Sequence, residues 1–247
     1  MSGHSKWATI KHKKGAADAK RGRLFTKLIR EITVAAKMGG GDAGGNPRLR
    51  KAIADAKGQS MPADTITRAI KRGTGELEGV SYEEITYEGT GPGGTLFIVE
   101  TMTDNRNRTI AEFRKIFEKH NGAMGTSAGW AFDRKGVISL EKSASNEDQL
   151  MDCAVGAGAD DYTDDGDEWT ITTPPEALDA VLKALEAAKV PVKSSGLQMV
   201  PKTRKTLTGR DAEVAMNLAE ALDDHDDTQN VYSDFDVSEE DLERLAD

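Results

Sequence analysis

The chain has 247 residues, of which 37% are hydrophobic, which is enough for two or three domains with buried cores and argues against wholesale disorder. Its single cysteine, Cys153, excludes an intramolecular disulfide and a zinc site built from cysteines. The net charge of −9, taken alone, argues against a polyanionic partner. No stretch resembles a secretory signal or a membrane span, which predicts a cytoplasmic protein without a membrane partner.

The charge is distributed unevenly along the chain. Residues 1–72 hold 17 lysines and arginines against 5 acidic residues, a local charge of +12. Residues 73–247 hold 16 against 37, a local charge of −21. A basic segment attached to an acidic body is typical of a protein that binds a polyanion with one part of its chain. A solvated charge run without a partner is the alternative interpretation.

The N-terminal third is predicted to contain a basic arm and three short helices. Residues 1–20 are rich in lysine and lack apolar periodicity, which is typical of an arm that becomes ordered on a partner. Helices are expected at about 20–38, 47–57 and 62–72, because Asn46-Pro47 is a start signal and glycines follow each helix. Three helices with short connections form a small bundle.

The first and third helices each separate apolar from basic residues. In the first helix, an apolar arc that includes Leu28 and Ile32 predicts the core face. Four cations on the opposite side predict an exposed basic stripe: Arg23, Lys27, Arg30 and Lys37. In the third helix, Ile66 and Ile70 are predicted to face inward. Its outward cations are Arg68, Lys71 and Arg72.

Beyond Gly73 the pattern changes to strands that alternate with helices. The expected elements are strands at 82–87 and 95–101, a helix at 106–120, strands at 130–132 and 137–140, a helix at 147–157, strands at 160–163 and 169–172, a helix at 175–189, a strand at 192–195, a helix at 210–222 and a strand at 231–232. From Val137 the order is β-α-β-β-α-β, which is typical of a ferredoxin-like unit. The predicted fold class is therefore α+β.

No combination of residues predicts catalysis, a cofactor or a metal site. Residues 89–94 match G-x-G-x-x-G, but a strand follows them instead of a helix, so they predict a hairpin turn and not a dinucleotide site. The acids at 160–168 lack the bidentate carboxylate of a calcium loop, and they and the acids at 223–227 are interpreted as solvated loop residues. The histidines are scattered, and Cys153 is expected to be a buried, inert thiol. We therefore expect neither enzymatic activity nor a small-molecule substrate.

Dense positive charge and one aromatic ring make the N-terminal third the candidate nucleic-acid site. Lysine and arginine neutralise phosphates, and Trp7 could stack on an exposed base or, equally, pack on its own bundle. The predicted binding residues are Lys6, Trp7, Lys11, His12, Lys13, Lys14, Lys20, Arg21, Arg23, Lys27, Arg30 and Lys37. A secondary basic patch comprises Arg68, Lys71, Arg72, Arg106 and Arg108. For the last two, a helix cap formed with Asn105 is the simpler interpretation.

Several long segments resemble the YebC/PmpR family. They are GHSKWATIKHKKGAADAKRGRLFTKLIREI, GGGDAGGNPRLRKAI, YEGTGPGGT, TDNRNRT and GTSAGWAFDRKGVI. The resemblance covers essentially the whole chain. It implies a helical N-terminal domain and two α+β, ferredoxin-like domains, the third inserted into the second. The implied divisions are an arm at 1–20, a helical domain at 21–78, a discontinuous domain at 79–136 plus 198–247, and an inserted domain at 137–197.

The resemblance also implies a role in gene expression and leaves the nucleic-acid partner open. The family is described as transcriptional regulators that bind DNA. Its members, including mitochondrial relatives, are also linked to translation at the ribosome, where they relieve stalling at proline-rich stretches. Helices 47–57 and 62–72 could mimic a helix-turn-helix, but the outward cations are phosphate-type contacts, so the residues do not decide between DNA and rRNA. A protein-interaction scaffold that uses the acidic lobes is a third hypothesis.

Overall fold

Three helices form the first part of the structure. The computed structural model describes residues 17–166, 168–238 and 241, with side chains from Arg21 onward. The helices are α1 (Ala17–Gly39), α2 (Pro47–Gly58) and α3 (Ala63–Thr74). They share an apolar core that includes Ile32, Leu49 and Ile66, which confirms the predicted helical bundle.

Asn46 ties the end of α1 to the beginning of α2. Its side-chain oxygen accepts a hydrogen bond from the Leu49 backbone N–H at 3.0 Å, as expected for an N-cap. Its amide nitrogen donates to the carbonyl oxygens of Ala35 at 2.8 Å and Gly40 at 2.9 Å. The side chain is buried, so both ends of this connection depend on one residue.

Gly73 sets how closely α3 approaches α1. A Cβ atom at this position would lie 2.3 Å from the Thr33 carbonyl oxygen and 2.7 Å from the Ala36 Cβ. Real Cβ atoms do not approach backbone oxygen so closely, so only glycine allows this packing. The glycine that was expected to close the third helix therefore lies inside α3, at its contact with α1.

The rest of the chain alternates strands and helices. In chain order they are β1 (Glu83–Thr90), β2 (Leu96–Thr103), α4 (Arg106–Lys119), β3 (Ala123–Met124), β4 (Phe132–Glu141), α5 (Glu147–Leu150), β5 (Asp161–Asp164), β6 (Glu168–Thr173), α6 (Leu178–Ala187), β7 (Ser194–Pro201), β8 (Lys205–Leu207), α7 (Gly209–Asp223), β9 (Thr228–Ser233) and β10 (Phe235–Val237). Within the described ranges, no helix has the length and apolar character needed to cross a membrane.

The first sheet has the strand order β3-β1-β2-β9, and every pair in it is antiparallel. Helices α4 and α7 cover one face, where Phe97, Phe113 and Leu218 lie in the core. The opposite face carries Ile98, which packs in a separate cluster with Phe132 at the start of β4. The chain enters this sheet through the β1–β2 hairpin, so its connections differ from the β-α-β-β-α-β order of a ferredoxin-like unit.

The second sheet has the strand order β5-β6-β4-β7, again antiparallel throughout. Strands β4, β5, β6 and β7 with helices α5 and α6 follow the β-α-β-β-α-β order, which confirms the predicted ferredoxin-like unit. Its core includes Ile138, Ile171 and Leu185. A parallel pair of short strands, β8 and β10, completes the fold beside the first sheet.

Several predicted elements differ from those observed. The strand expected at 192–195 is observed as β7 at Ser194–Pro201, and β3, β8 and β10 were not predicted. The strands expected at 130–132 and 137–140 form one strand, β4, which begins at Phe132 after a 3-10 turn at Gly129–Ala131. The polar residues between them stay in the strand because β4 pairs continuously with β7 over this stretch. The helix expected at 147–157 has only one α-helical turn and continues as a π-helical turn at Met151–Val155.

Candidate nucleic-acid interface

The basic side of α1 faces the acidic turn that follows α7. Arg23 Nη2 lies 3.0 Å from Asp224 Oδ1. Lys27 Nζ lies 3.0 Å from Asp223 Oδ1 and donates to the carbonyl oxygen of the same residue at 3.1 Å. Two of the four cations of the predicted stripe are thus bound to carboxylates of the same chain.

Arg30 enters a buried site between α1, β2 and this acidic turn. Its Nη1 lies 2.7 Å from Asp227 Oδ1 and donates to the carbonyl oxygens of Met102 at 2.8 Å and Asp226 at 2.7 Å. The guanidinium also lies over the Tyr82 ring, 5.1 Å from its centroid. Only 9% of Arg30 is exposed, so it does not reach a phosphate while this packing persists.

Asp227 is the centre of this network, and its side chain is 1% exposed. It also accepts hydrogen bonds from Arg108 Nη2 at 3.1 Å and from Thr109 Oγ1 at 2.7 Å. Burial alone would raise the pKa of this carboxyl, but the hydrogen bonds from Thr109, Arg108 and Arg30 outweigh burial and lower the pKa to about 2. One ionised carboxylate therefore joins α1, α4 and the turn after α7.

The prediction of an exposed basic stripe on α1 is wrong for Arg30, which is buried, and for Lys27, whose side chain is 16% exposed. Asp227 and Asp223, interpreted from the sequence as solvated, pair with these two residues, whereas Arg23 is about one-third exposed and pairs with the exposed Asp224. Lys37 is exposed as predicted, and its Nζ donates to Ser81 Oγ at 2.6 Å. The helical pattern located the non-core side of α1 correctly, but it could not show that another part of the chain covers that side.

The secondary basic patch also contains both cations that form ion pairs and cations that form none within the described residues. Arg108 belongs to the Asp227 network and also bonds Asp104 at 2.7 Å. The Asn105 side chain accepts from the Arg108 backbone N–H at 3.1 Å, which confirms the helix-cap interpretation. Arg106 is exposed and has no ion pair within the described part of the chain.

The outward face of α3 carries three exposed cations that form no ion pair with the described residues. Of the two residues predicted to face inward, Ile66 is buried and Ile70 is partly buried against the helical core. The three cations on the outer face are exposed, and none forms an ion pair with any residue that the structure describes: Arg68, Lys71 and Arg72. These side chains remain available to a polyanion.

A second ionic bridge fixes the helical bundle to the first sheet. Arg48 on α2 lies 2.7 Å from Glu31 on α1 and 2.7 Å from Glu84 on β1. The hydrogen bonds from Glu31 and Glu84 raise the pKa of Arg48 further above its ordinary value. The sequence analysis assigned no role to Arg48, because the residues that it joins are far apart in the chain.

Part of the predicted site lies outside the described residues. Six of its members belong to the segment that precedes α1: Lys6, Trp7, Lys11, His12, Lys13 and Lys14. The side chain of Lys20 is also outside, while Arg21 is exposed and its guanidinium lies 5.5 Å from the centroid of the Phe25 ring. A binding role for the arm stays a prediction.

The features weighed against catalysis have ordinary structural roles. Gly93 and Gly94 have positive φ in a 3-10 turn between β1 and β2, which confirms the hairpin interpretation of the glycine motif. Cys153 is half-buried, and burial raises the pKa of its thiol. Among the described residues, no group of three or more His, Cys, Asp or Glu side chains could hold a metal ion.

Asp160, Asp161 and Asp164 are exposed, as expected for solvated acids, but several acids at 160–168 lie on strands and pair with lysines. Asp160 lies 2.6 Å from Lys135, and Asp164 lies 2.5 Å from Lys142. Glu168 forms a further ion pair with a lysine, Lys193. Lys135 lies on β4, Lys142 directly follows β4, and Lys193 directly precedes β7. The carboxylates and their lysines therefore belong to the same second sheet or to its edges.

Comparisons with known proteins agree over nearly the whole chain. The family model described as "TACO1/YebC protein N-terminal domain" matches residues 5–76, and that described as "TACO1/YebC second and third domain" matches residues 82–235. A "probable transcriptional regulatory protein" of Geobacter sp. (strain M21) is 55% identical over 99% of this chain and 100% of its own length. Another, from Desulforapulum autotrophicum, is 57% identical over 97% of this chain and 98% of its own length. The crystal structure of a conserved hypothetical protein from Aquifex aeolicus is 42% identical, with a TM-score of 0.84 over 93% of this chain and 96% of that one.

Proposed function

The chain belongs to the TACO1/YebC family, and we propose that it is a non-enzymatic regulator of gene expression that binds nucleic acid through its N-terminal third. Relatives more than half identical to it carry the name of transcriptional regulatory proteins, which supports regulation as its role. The local charge of +12 over residues 1–72 supports a polyanionic partner, because such charge attracts phosphates and releases their counterions.

The observation that carries the proposal is the outer face of α3. Three of its exposed side chains are cations without an ion pair in the described ranges, namely Arg68, Lys71 and Arg72. Arg23, Lys27 and Arg30 of α1 pair with the acidic turn, so we assign these three to holding the bundle against the first sheet. The proposed interface is therefore the basic arm together with Arg21 and the outer face of α3.

DNA is the first candidate partner, and one observation favours structured RNA as the alternative. The outer face of α3 offers phosphate-type cations, and the helix contains no asparagine or glutamine to read an adenine edge. A surface of this kind binds by charge and shape, as double-stranded or folded RNA is usually recognised. The alternative partner is rRNA, which the protein would contact by binding directly to the ribosome.

The experiment compares two triple variants that remove the same charge from different helices. One carries Arg68→Gln, Lys71→Gln and Arg72→Gln on α3. The matched control carries Arg114→Gln, Lys115→Gln and Lys119→Gln on α4, whose side chains are also exposed. Binding of a labelled DNA duplex and of a labelled RNA hairpin is measured by fluorescence anisotropy over a range of salt concentrations.

We expect the α3 variant to bind less tightly and to show a weaker salt dependence. Each lost phosphate contact should reduce the slope of the log association constant against the log salt concentration by about 1. The loss of three contacts should therefore reduce this slope by up to about 3. The control should keep nearly the wild-type slope, and both variants should fold, because surface changes of this kind usually cost less than about 0.5 kcal/mol. Equal slopes for wild type and the α3 variant on both probes would place the interface elsewhere.

A further inference from the structure

Trp130 is exposed although Ala128, Ala131 and Phe132 beside it are buried. Its relative exposure is 70%, whereas Ala128 is 0%, Ala131 is 7% and Phe132 is 4% exposed. These neighbours pack against Leu96 on the outer face of the first sheet. The backbone is therefore anchored on both sides of the ring, and the ring itself is left in solvent.

Hydrogen bonds hold this segment and its ring in one position. The indole Nε1–H donates to the Ser127 carbonyl oxygen at 3.1 Å. The Glu88 carboxylate accepts from the backbone N–H groups of Ala128 at 2.6 Å and Gly129 at 3.3 Å. An aromatic ring that is fixed before binding loses little conformational entropy when a partner covers it.

One cation contacts the backbone at Trp130, and a second lies four positions further along the chain. Lys202 Nζ donates to the Trp130 carbonyl oxygen at 2.9 Å, and its backbone N–H donates to the Ala131 carbonyl oxygen at 2.9 Å. Arg134 lies at an exposed position of β4 and has no ion pair within the described part of the chain. Lys202 Nζ also lies 3.5 Å from Asp133 Oδ1. Both members of that pair are exposed, so a phosphate could replace the carboxylate at little cost.

The composition around the ring favours an unpaired base over an apolar peptide. The exposed residues that precede Trp130 are small or polar, namely Gly125, Thr126 and Ser127. Between residues 125 and 134, no other large apolar side chain is exposed. A single fixed aromatic face with cations beside it matches the chemistry by which single strands are bound.

We propose that Trp130 is a stacking platform for an unpaired base, with Lys202 and Arg134 contacting the adjacent phosphates. This site rests on the proposed function, since it needs a nucleic-acid partner, but it is separate from the arm and from α3. It selects for single-stranded or looped segments, because the bases of an intact duplex present no free face to an indole ring.

The test measures binding of a single-stranded oligouridylate to the full chain, with an intact duplex of the same length as a second probe. Trp130→Ala should weaken single-strand binding by about 5- to 150-fold, which is the usual effect of removing one stacking ring. Trp130→Tyr should retain most of the affinity because it keeps an aromatic face. Met38→Ala removes a large apolar side chain with 68% exposure and serves as the control that should change nothing.

Tryptophan emission gives an independent readout. The chain has three tryptophans, Trp7, Trp130 and Trp169. If Trp130 is the stacking ring, the oligouridylate should quench part of the wild-type emission, and this quenching should be lost in Trp130→Phe, where only Trp7 and Trp169 emit. Lys202→Gln and Arg134→Gln should each reduce the single-strand salt slope by about 0.7.

The outcomes separate the two proposals. Wild-type affinity and salt slope in Trp130→Ala, with quenching retained in Trp130→Phe, would overturn the stacking site and leave the proposed function intact. Failure of the wild-type chain to bind any nucleic-acid probe would overturn both. If Trp130→Ala lost association with a protein partner but kept wild-type affinity for the oligouridylate, the stacking site would also be overturned.

Discussion

Replacing Asp227 with asparagine should destabilise the protein and loosen the bundle from the first sheet. The substitution keeps the side-chain size and removes the charge that Arg30 faces at 2.7 Å. Arg30 would keep its two carbonyl acceptors, but its buried guanidinium would lose the counter-charge. Breaking one partner of a buried ion pair typically costs about 3–5 kcal/mol. Arg108 is much more exposed and can regain water, so it adds little to this cost.

The pKa of Asp227 gives a second measure of the same effect. The pKa falls from the ordinary value of 3.8 to about 2. Because each pKa unit corresponds to about 1.4 kcal/mol, the ionised carboxylate contributes about 2–3 kcal/mol to the free energy of unfolding at neutral pH. Combining both measures, we expect Asp227→Asn to lose about 2–4 kcal/mol at pH 7. Because the folded-state pKa is depressed, this contribution is complete above about pH 5 and is lost as the pH falls toward 2.

Urea unfolding followed by circular dichroism, at several pH values between 7 and 2.5, tests this expectation. The gap in stability between wild type and Asp227→Asn should be largest at pH 7 and should narrow below about pH 4. Asp224→Asn is the matched control, because its pair with Arg23 is solvent-exposed and should contribute about 0–1 kcal/mol. Equal losses in the two variants, or a gap that does not change with pH, would refute a dominant role for the buried carboxylate.

Two further predictions concern the helical bundle. Gly73→Ala should destabilise the protein by about 1–3 kcal/mol in thermal unfolding, because the new Cβ would lie 2.3 Å from the Thr33 carbonyl oxygen. Gly58→Ala is the control and should be neutral or stabilising, because its new Cβ would meet nothing within 4 Å. A larger loss in Gly58→Ala than in Gly73→Ala would contradict the close-packing argument. Asn46→Ala should lower the free energy of unfolding by about 1–2 kcal/mol through loss of the N-cap. The loss should be larger if no water replaces the amide at the carbonyl oxygens of Ala35 and Gly40. A loss below about 0.5 kcal/mol would show that water does replace the amide.

Local patterns predicted the helices and the second sheet well. Capping at Asn46, helical spacing in α3 and the β-α-β-β-α-β order from Val137 are all short-range signals, and each is confirmed. The strand β4 was divided in two because its polar centre resembles a loop when read alone. Pairing with β7 decides its true length, and that pairing joins residues about 60 positions apart.

The candidate site was harder to predict because its decisive contacts are long-range. The partners of Arg30 and Lys27 lie nearly 200 residues further along the chain. A basic helix face looks the same in sequence whether it faces solvent or an acidic turn. Trp130 was interpreted as a strand residue, and the signal that could have marked it is the surrounding run of glycine, serine and threonine, which is typical of an irregular segment.

The pairing of α1 with the acidic turn changes how the charge of this protein should be understood. If α1 were itself the nucleic-acid surface, Asp223–Asp227 would compete with phosphate, and Asp227→Asn would free Arg30 and raise affinity. If α1 is instead a fixed support, the same variant removes the restraint that orients the bundle against the first sheet. Arm and α3 then bind as linked contacts whose joint affinity depends on their mutual position, so loosening the support lowers affinity or leaves it unchanged. The buried position of Arg30 and the depressed pKa of Asp227 favour the second role, because opening this network would cost more than a single new phosphate contact returns.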